Sequence, residues 1–403
     1  MKLPDARWHQ RQSLQKLVAA LDSKTGMIRF VGGAVRDSLL GVAVKDVDLA
    51  TILKPAEVME RLTEAGFKVI PTGIDHGTVT AVTEDGPVEI TTLRRDVSTD
   101  GRRATVAYSD DWKEDAARRD FTINALSADP GTLEIYDYFD GLDDLEARQI
   151  RFIGSAQQRI AEDHLRIMRY FRFVARFADE KVDEDAYAAC VNAAASIQAL
   201  SRERVADELM KLLATSNPVF AVGKMLEGGI FNHVFAGADD DAATLLDRLV
   251  RREHACDIAP TAIRRLIALL PKVTDKASKI VTGLKYSKKI RRAVADRLSE
   301  QNPSARDMQA IAYHYGPETA QDIALHFAAD TDLCACLKAL EDWQTPIFPI
   351  SGGDLISMGL KPGPIVAKTL AKVERAWIAE GFPDYERVIQ LAKEAISPAS
   401  SHH

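Results

Sequence analysis

Two carboxylates one residue apart, Asp46-Val47-Asp48, follow closely on a strand-turn-helix pattern, and that pairing restricts what the start of this chain can fold into. The run Met27 to Val31 is apolar and β-rich, Gly32-Gly33 interrupts it, and Ala34 to Leu40 has helical spacing. On a strand, residues i and i+2 point to one face, so Asp46 and Asp48 can share a pair of divalent cations. The glycine pair lets backbone amides approach a phosphate, which would meet free N–H groups, the helix dipole and the Arg36 guanidinium. This is equipment for phosphoryl or nucleotidyl transfer. The pattern lacks the Gly-Lys-Ser/Thr ending of a Walker loop and the third glycine of a dinucleotide fingerprint, so both of those folds lose weight. Taken alone, a Gly-rich turn and a solvated Asp-x-Asp also occur by chance.

A second cluster, Arg118-Arg119-Asp120-Phe121-Thr122-Ile123-Asn124-Ala125-Leu126, combines two guanidiniums, a carboxylate and an amide, donors and acceptors suited to phosphate oxygens and a ribose hydroxyl. A surface ion pair before a helix would have the same composition. The order of Gly-Gly-Ala-Val-Arg-Asp, Asp-x-Asp, Arg-Arg-Asp-Phe-Thr-Ile-Asn-Ala and Glu162-Asp163-His164-Leu165-Arg166 separates the two possibilities. These motifs, in this order and spacing, resemble the class II tRNA nucleotidyltransferase and bacterial poly(A) polymerase family.

The resemblance implies roles for individual positions. Gly32, Gly33 and Arg36 match the turn that touches the incoming triphosphate, and Asp46 and Asp48 match the Mg²⁺ ligands. Arg119, Asp120 and Asn124 match the motif that recognises the ribose and positions the nucleotide. The stretch Asp137 to Asp144 resembles a hinge motif, with Gly141 as its flexible point. Asp163, Arg166, Arg169 and Arg172 match a motif whose Asp and Arg act as a protein template for the nucleobase. His164 stands where the family usually has proline, which should alter the helix start and leave the readout alone. Leu200 to Leu209 resembles the next helical motif, beginning with a Ser201 cap.

Such a template has its own physical logic. Cytosine and adenine present an exocyclic amino donor beside a ring-nitrogen acceptor, whereas guanine and uracil present a carbonyl there. A carboxylate beside a guanidinium therefore accepts C or A and rejects G or U. On a continuous helix Asp163 and Arg166 would be neighbours, while Arg169 and Arg172 drift about 60° per step and suit phosphates or bracing better than the same base edge. Metal-assisted transfer needs no protein nucleophile, since two cations stabilise the attacking RNA 3′-oxygen and the departing pyrophosphate. Glu89, an isolated acid in the β-branched run Val88 to Leu93, is expected to complete the acidic set, although alternation could equally leave it on the wet face.

Leu93 to Asp115 is too polar for core and reads as a loop carrying Arg94, Arg95, Asp96, Asp100, Arg102, Arg103, Asp110 and Asp111. In the family such a loop lies beside the active site and helps switch specificity from C to A, so its presence favours a complete CCA-adding or an A-adding enzyme over a CC-adding one. His76, opening the strand His76-Gly77-Thr78-Val79-Thr80, reads as structural or substrate-side.

The 403 residues suffice for two or more domains. Four cysteines, Cys190, Cys256, Cys334 and Cys336, have neither metal spacing nor a disulfide framework, which fits a reducing cytoplasm. No leader or membrane-spanning run is visible, no feature demands a protein partner, and Ser401-His402-His403 reads as a tag remnant. The net charge of −7 looks wrong for RNA binding until its distribution is considered. Lys272 to Arg297 is a basic stretch, and Lys288, Lys289, Arg291 and Arg292 are candidates for tRNA-backbone contact. A solvated lysine-rich face is the plainer alternative.

The expected fold class is α+β: a polymerase-β-like nucleotidyltransferase head with a mixed sheet over 1–136, a helical neck carrying the template over 137–215, and a helical body and tail binding tRNA over 216–400. Strands are expected near 27–31, 46–51, 77–83, 87–93 and 132–135, after an N-terminal helix holding Trp8 and Leu14. The family points to CCA addition to tRNA from CTP and ATP. A poly(A) polymerase using ATP on general RNA is the nearest rival, and a catalytically silent RNA-binding protein is the other class.

Overall fold

Apolar alternation and glycine punctuation at the start of the chain produce a seven-stranded mixed sheet, and helices follow it almost without interruption. The computed structural model describes residues 1–21, 26–100, 103–238 and 241–396. Arg102 and the terminal Ser401-His402-His403 lie outside the described residues, as do the side chains of Asp96, Asp100 and Arg103. The chain divides into two compact units, Met1–Ala236 and Gly237–His403. The first runs past the expected end of the neck at 215.

In the first unit α1 (Gln12–Ala20) precedes β1 (Ile28–Val31), α2 (Gly33–Leu39), β2 (Val47–Thr51), α3 (Pro55–Glu64), β3 (Lys68–Gly73), β4 (Thr78–Thr83) and β5 (Gly86–Thr92). Next come β6 (Arg94–Asp100), β7 (Arg103–Tyr108), α4 (Trp112–Ala117), β8 (Ser127–Ala128), β9 (Ile135–Tyr136), α5 (Gly141–Glu146), α6 (Ala156–Glu162) and α7 (Arg166–Phe177). Helices α8 (Glu184–Asn192), α9 (Arg202–Leu213), α10 (Val219–Glu227) and α11 (Phe231–Val234) complete it. The sheet order is β3-β4-β5-β2-β1-β8-β9, with β2 and β5 parallel and the other pairs antiparallel. The α+β class with a mixed sheet is therefore as expected.

Three local expectations are corrected. Trp8 lies before α1; it packs edge-on against Phe30 and donates its indole N–H to Ser38 Oγ at 2.8 Å. The stretch after Leu93 is a two-stranded hairpin, β6 with β7, followed by α4. Strands β3 and β8 carry too few consecutive apolar residues to stand out by alternation, yet both pair in the sheet.

Burial explains why β2 can present an acid. Val47 and Leu49 face the core, each contributing about 1.5–3 kcal/mol by burial, while Asp48 on the opposite face is exposed. Helix α3 packs on β3 and β4 from the apolar side, where Val79 and Ala81 are fully buried. Further along, α7 buries Ile167, Met168, Tyr170, Phe171, Phe173, Val174 and Phe177, and its arginines emerge from the other side.

The second unit comprises α12 (Ala242–Ala255), α13 (Ala262–Leu269), α14 (Thr274–Gly283), α15 (Lys288–Arg297), α16 (Met308–Tyr315), α17 (Pro317–Phe327) and α18 (Leu333–Lys338), then α19 (Gly352–Ser357), α20 (Pro364–Ala379) and α21 (Tyr385–Ile396). Its interior is unusual in being partly ionic. Arg264 donates to Asp322 and, at 2.8 Å, to Glu253; Arg265 meets Glu253 at 2.9 Å and Arg297 meets Asp322 at 2.7 Å. Beside them the buried His326 places Nε2 2.8 Å from the Arg264 carbonyl oxygen, so Nε2 carries the proton and donates.

Burial, with the positive charges of Lys272, Arg264 and Arg248, pushes the His326 pKa down to about 3. The unfolded chain therefore takes up a proton near the ordinary histidine pKa that the folded chain refuses, and the stability contributed by neutral His326 is lost as pH falls from about 6.5 toward 3. Denaturant titrations between pH 7 and pH 5 should show the wild type losing stability more steeply than His326→Gln. Equal slopes would remove this assignment.

Candidate active site

Parallel pairing of β2 with β5 sets Asp48 directly opposite Glu89, so both carboxylates leave the sheet on one face. Asp46 immediately precedes β2 and is exposed. Partial withdrawal from water raises the Asp48 pKa, Glu89 and Asp46 add to the rise, and Arg119 opposes it. A divalent cation would relieve that repulsion. Among the described residues no three His, Cys, Asp or Glu side chains form a complete metal cage. The acids present suit an ion that draws its remaining oxygens from substrate phosphates and water, the usual mode of Mg²⁺.

A cavity of about 520 Å³ opens over Asp48 and Glu89. Gly32, Gly33, Arg36, Arg119, Asp120 and Asn124 line it from the sheet side, and Asp163, Arg166 and Arg169 line it from the helical side. Asp46 and Arg172 are outside this lining. Gly32 holds φ +62°, a conformation that favours glycine, and a Cβ there would stand 3.1 Å from Arg119 Nη1. Helix α2 spans only two turns, so the anion seat depends on backbone amides and guanidiniums more than on its dipole.

The arginines are committed to different degrees. Arg36 is buried: Nε and Nη2 donate to Asp37 Oδ1 at 2.8 and 2.7 Å, Nη1 donates to Asn124 Oδ1, and the guanidinium lies over Phe177. Three of its five N–H groups are thereby engaged within the protein. Arg119 is held more loosely, by the Asn124 carbonyl at 3.3 Å and Asp115 at 3.4 Å, which leaves it the more available anion donor.

Asp120 and Asn124 form the joint between sheet and helix. Asp120 Oδ1 accepts the Phe121 N–H and Asn124 Nδ2, both at 2.9 Å, while Oδ2 accepts Arg169 Nε at 2.7 Å. Burial alone would raise the Asp120 pKa, but Arg169 and these hydrogen bonds hold it below the ordinary carboxylate value. Arg172 Nε donates to the buried Glu208 on α9 at 2.7 Å, and Arg176 reaches Asp37 at 2.9 Å. Arg169 and Arg172 thus brace α7, the role their helical drift favours.

Asp163 and Arg166 do not share a helix. Asp163 is extended, φ −148° and ψ 105°, between the end of α6 and the start of α7. Its Oδ1 accepts the Leu165 N–H at 3.0 Å and its Oδ2 meets Arg204 at 3.0 Å. Arg166 turns to the Arg159 carbonyl at 2.8 Å and to Glu162 at 2.6 Å. Both nevertheless face the same cavity as Asp48. His164 occupies the intervening turn, where its Nδ1 is buried with no hydrogen-bond partner among the described residues.

Gly141 is a point of close packing. A Cβ there would collide with the Thr122 carbonyl oxygen and lie 2.9 Å from its carbon, so glycine is needed to seat α5 against the Thr122–Asn124 turn. Asp137 holds this corner by accepting the N–H groups of Phe139, Gly141 and Leu142, and Asp144 ties it down through Thr122 and Arg151.

Several participants had no individual signal in the sequence. Asp115 is buried and grips Arg118 at 2.6 Å, Arg119 and the Arg94 amide; these contacts overcome burial and lower its pKa. Asp37, Arg176, Arg204 and Glu208 acquire roles only through partners distant in sequence. In the basic stretch, Lys288, Lys289 and Arg292 are exposed on α15 and Arg291 is half-buried. Lys272 instead donates to carbonyls closing α13, and Arg297 belongs to the buried ionic cluster.

Residues 28–151 match a family model described as the Poly A polymerase head domain, and residues 181–241 match one described as a probable RNA and SrmB-binding site of polymerase A. The chain is 33% identical over 387 residues to the CCA tRNA nucleotidyltransferase 1, mitochondrial, of Mus musculus, covering 92% of this chain and 87% of that protein. It is 32% identical over 366 residues to the CCA-adding enzyme of Streptococcus uberis, covering 87% and 88% respectively. The crystal structure of the Bacillus stearothermophilus CCA-adding enzyme in complex with CTP is similar at a TM-score of 0.70 and 25% identity, over 95% of this chain and 98% of that one. Among the described residues no helix is long and apolar enough to cross a membrane.

Replacing Gly32 by Ala should cost about 1 kcal/mol or more through the left-handed backbone and should push Arg119 aside. Nucleotide KM should therefore rise with only a small fall in melting temperature. An unchanged KM would show that the glycine serves the fold alone.

Proposed function

The chain belongs to the CCA-adding tRNA nucleotidyltransferase family, and from that membership we propose that it adds C, C and A to the 3′ end of tRNA, using CTP and ATP without a nucleic-acid template. The observation that carries this reading is the shared cavity: Asp48 and Glu89 on one wall, Asp163 and Arg166 on another.

Asp46, Asp48 and Glu89 would hold divalent cations, Mg²⁺ being the ion best suited to a mixed carboxylate and phosphate shell. When bound, these cations neutralise charge on the attacking and departing oxygens. Gly32 and Gly33 offer close backbone approach to the phosphates, and Arg119 supplies a loosely tethered positive charge at the same turn. The RNA 3′-hydroxyl attacks the α-phosphorus in line and gives up its proton to a nearby carboxylate or water; the new O–P bond forms as the bond to pyrophosphate breaks. Asp163 accepts the exocyclic amino group of C or A on a remaining lone pair, and Arg166 donates to the neighbouring ring nitrogen. Asp120 and Asn124 keep α7 in register with the triphosphate turn.

The exposed Lys288, Lys289 and Arg292, with Arg291 beside them, offer charge for the tRNA backbone on a protein that is acidic overall. RNA as substrate and cysteines without a disulfide are consistent with work in a reducing compartment, the cytoplasm being the reading we favour.

A tRNA lacking its terminal CCA, offered CTP alone, ATP alone or both, should receive two C residues with CTP and the full CCA with both. Failure to use CTP would sink this reading in favour of a poly(A) polymerase. Asp48→Asn should lower transfer by at least about a hundredfold while tRNA binding persists. Changing Lys288, Lys289, Arg291 and Arg292 together to Ala should weaken tRNA binding and flatten its dependence on log salt by up to roughly 3 units; an unchanged slope would remove the patch from the interface.

A further inference from the structure

We propose that Arg29 is a positioning residue for nucleotide binding: its buried guanidinium clamps both flanks of the segment that carries Arg119, Asp120 and Asn124. The inference rests on the nucleotidyl-transfer reading above. Arg29 lies on β1 opposite Ala50 of β2, so it shares the sheet face that bears Asp48. It is 9% exposed, and among the described residues no carboxylate pairs with it. Its contacts are two aromatic rings and one hydroxyl. The guanidinium carbon stands 4.1 Å from the Trp112 ring centre and 3.6 Å from that of Tyr136, and Nη1 donates to the Tyr138 hydroxyl at 3.0 Å. A planar cation can serve ring faces and donate from its edge at the same time, which neither an ammonium nor an alkyl chain can do. Burying a charge without a counter-ion is a poor route to stability, so the placement points to a role in geometry.

The three aromatic residues belong to the two stretches that bracket the nucleotide-binding segment. Trp112 opens α4 and packs against Val31, Ala50 and Leu93; one turn later Asp115 holds Arg118 at 2.6 Å and Arg119 at 3.4 Å. The Arg119 N–H still donates to the Ala116 carbonyl at 3.2 Å, so Arg119 moves with α4. On the far side, Tyr136 ends β9 and Tyr138 enters the corner held by Asp137, whose Gly141 is seated against the Thr122 carbonyl. Arg29 itself lies on the strand that runs into Gly32, where the cavity's glycine turn begins. One side chain thus ties together the strand before that turn, the helix that delivers Arg119 and the corner behind Thr122. The tolerance there is small: a Cβ on Gly32 would stand 3.1 Å from Arg119 Nη1, so a slight drift of α4 alters the anion seat directly.

The test is the equilibrium Kd of CTP and of ATP for the full chain, measured by titration calorimetry. Arg29→Met keeps an apolar stem and removes the cation, and Kd for both nucleotides should rise by about tenfold as the binding groups lose their alignment. Tyr138→Phe deletes one hydroxyl and keeps the ring, so the fold survives while Kd rises by about threefold. Binding of tRNA, dominated by phosphate contacts, should stay within about twofold in both variants. Adding Trp112→Leu to Arg29→Met should raise the nucleotide Kd by no more than about a further twofold, because both changes open the same clamp. An arginine that served the fold alone would lower the melting temperature and the binding stoichiometry and leave the nucleotide Kd as it was. That result, a parallel rise for tRNA, or multiplicative effects in the double variant overturns the proposal. Should Arg29→Met fail to fold, an unchanged Kd in Tyr138→Phe overturns it alone. Nucleotide binding requires no transfer, so a wild type that binds CTP and ATP yet extends no RNA sinks the enzymatic reading, while the Kd values still decide this one.

Discussion

A single buried carboxylate, Asp120, holds the sheet-side turn and helix α7 in one frame. Its two oxygens serve two structures: one accepts from the backbone and from Asn124 in the sheet-side turn, the other accepts from Arg169 on α7. Asn124 passes the connection to Arg36, Arg36 to Asp37, and Asp37 back to α7 through Arg176. The result is a closed circuit of charges and amides around Phe173 and Phe177. Removing one member leaves its neighbour buried and unpaired, which is far costlier than the net worth of the pair. That asymmetry makes the circuit a constraint on geometry more than a source of stability.

The acidic set obeys the opposite logic. Asp48 and Glu89 are brought side by side by parallel strands, and the raised Asp48 pKa reflects partial withdrawal from water and that crowding. Such a pair is unfavourable until a cation joins it. The sheet can sustain the strain because Val47, Leu49, Val88 and Ile90 are buried on its other face.

Much of this could be read in the sequence because the decisive residues are local. Gly32-Gly33, Asp46-Val47-Asp48 and Arg119 to Asn124 each lie within one turn or strand, and their chemistry follows from residue type and spacing. What could not be read depends on distance. Whether Glu89 faces Asp48 is a question of which strand pairs with which, and Glu208 acquires its role from Arg172 on another helix. Helical spacing suggested that Asp163 and Arg166 stack, but the chain is extended at Asp163, so the two are neighbours by position and not by contact. Gly141 shows a constraint that its sequence could not display: the close approach of the Thr122 carbonyl requires glycine there, and that contact comes from a segment almost twenty residues away.

The break between α6 and α7 has a consequence for reading two kinds of base. Groups fixed one turn apart on an unbroken helix keep a nearly constant separation and tilt. Here the carboxylate is steadied from α9 through Arg204, and the guanidinium from α6 through Glu162 and the Arg159 carbonyl. Mounted on different supports, the two have a separation set by the fold around them and not by one helix's fixed rise, so on the proposed reading a one-ring and a two-ring heterocycle would meet polar atoms whose spacing each support adjusts separately.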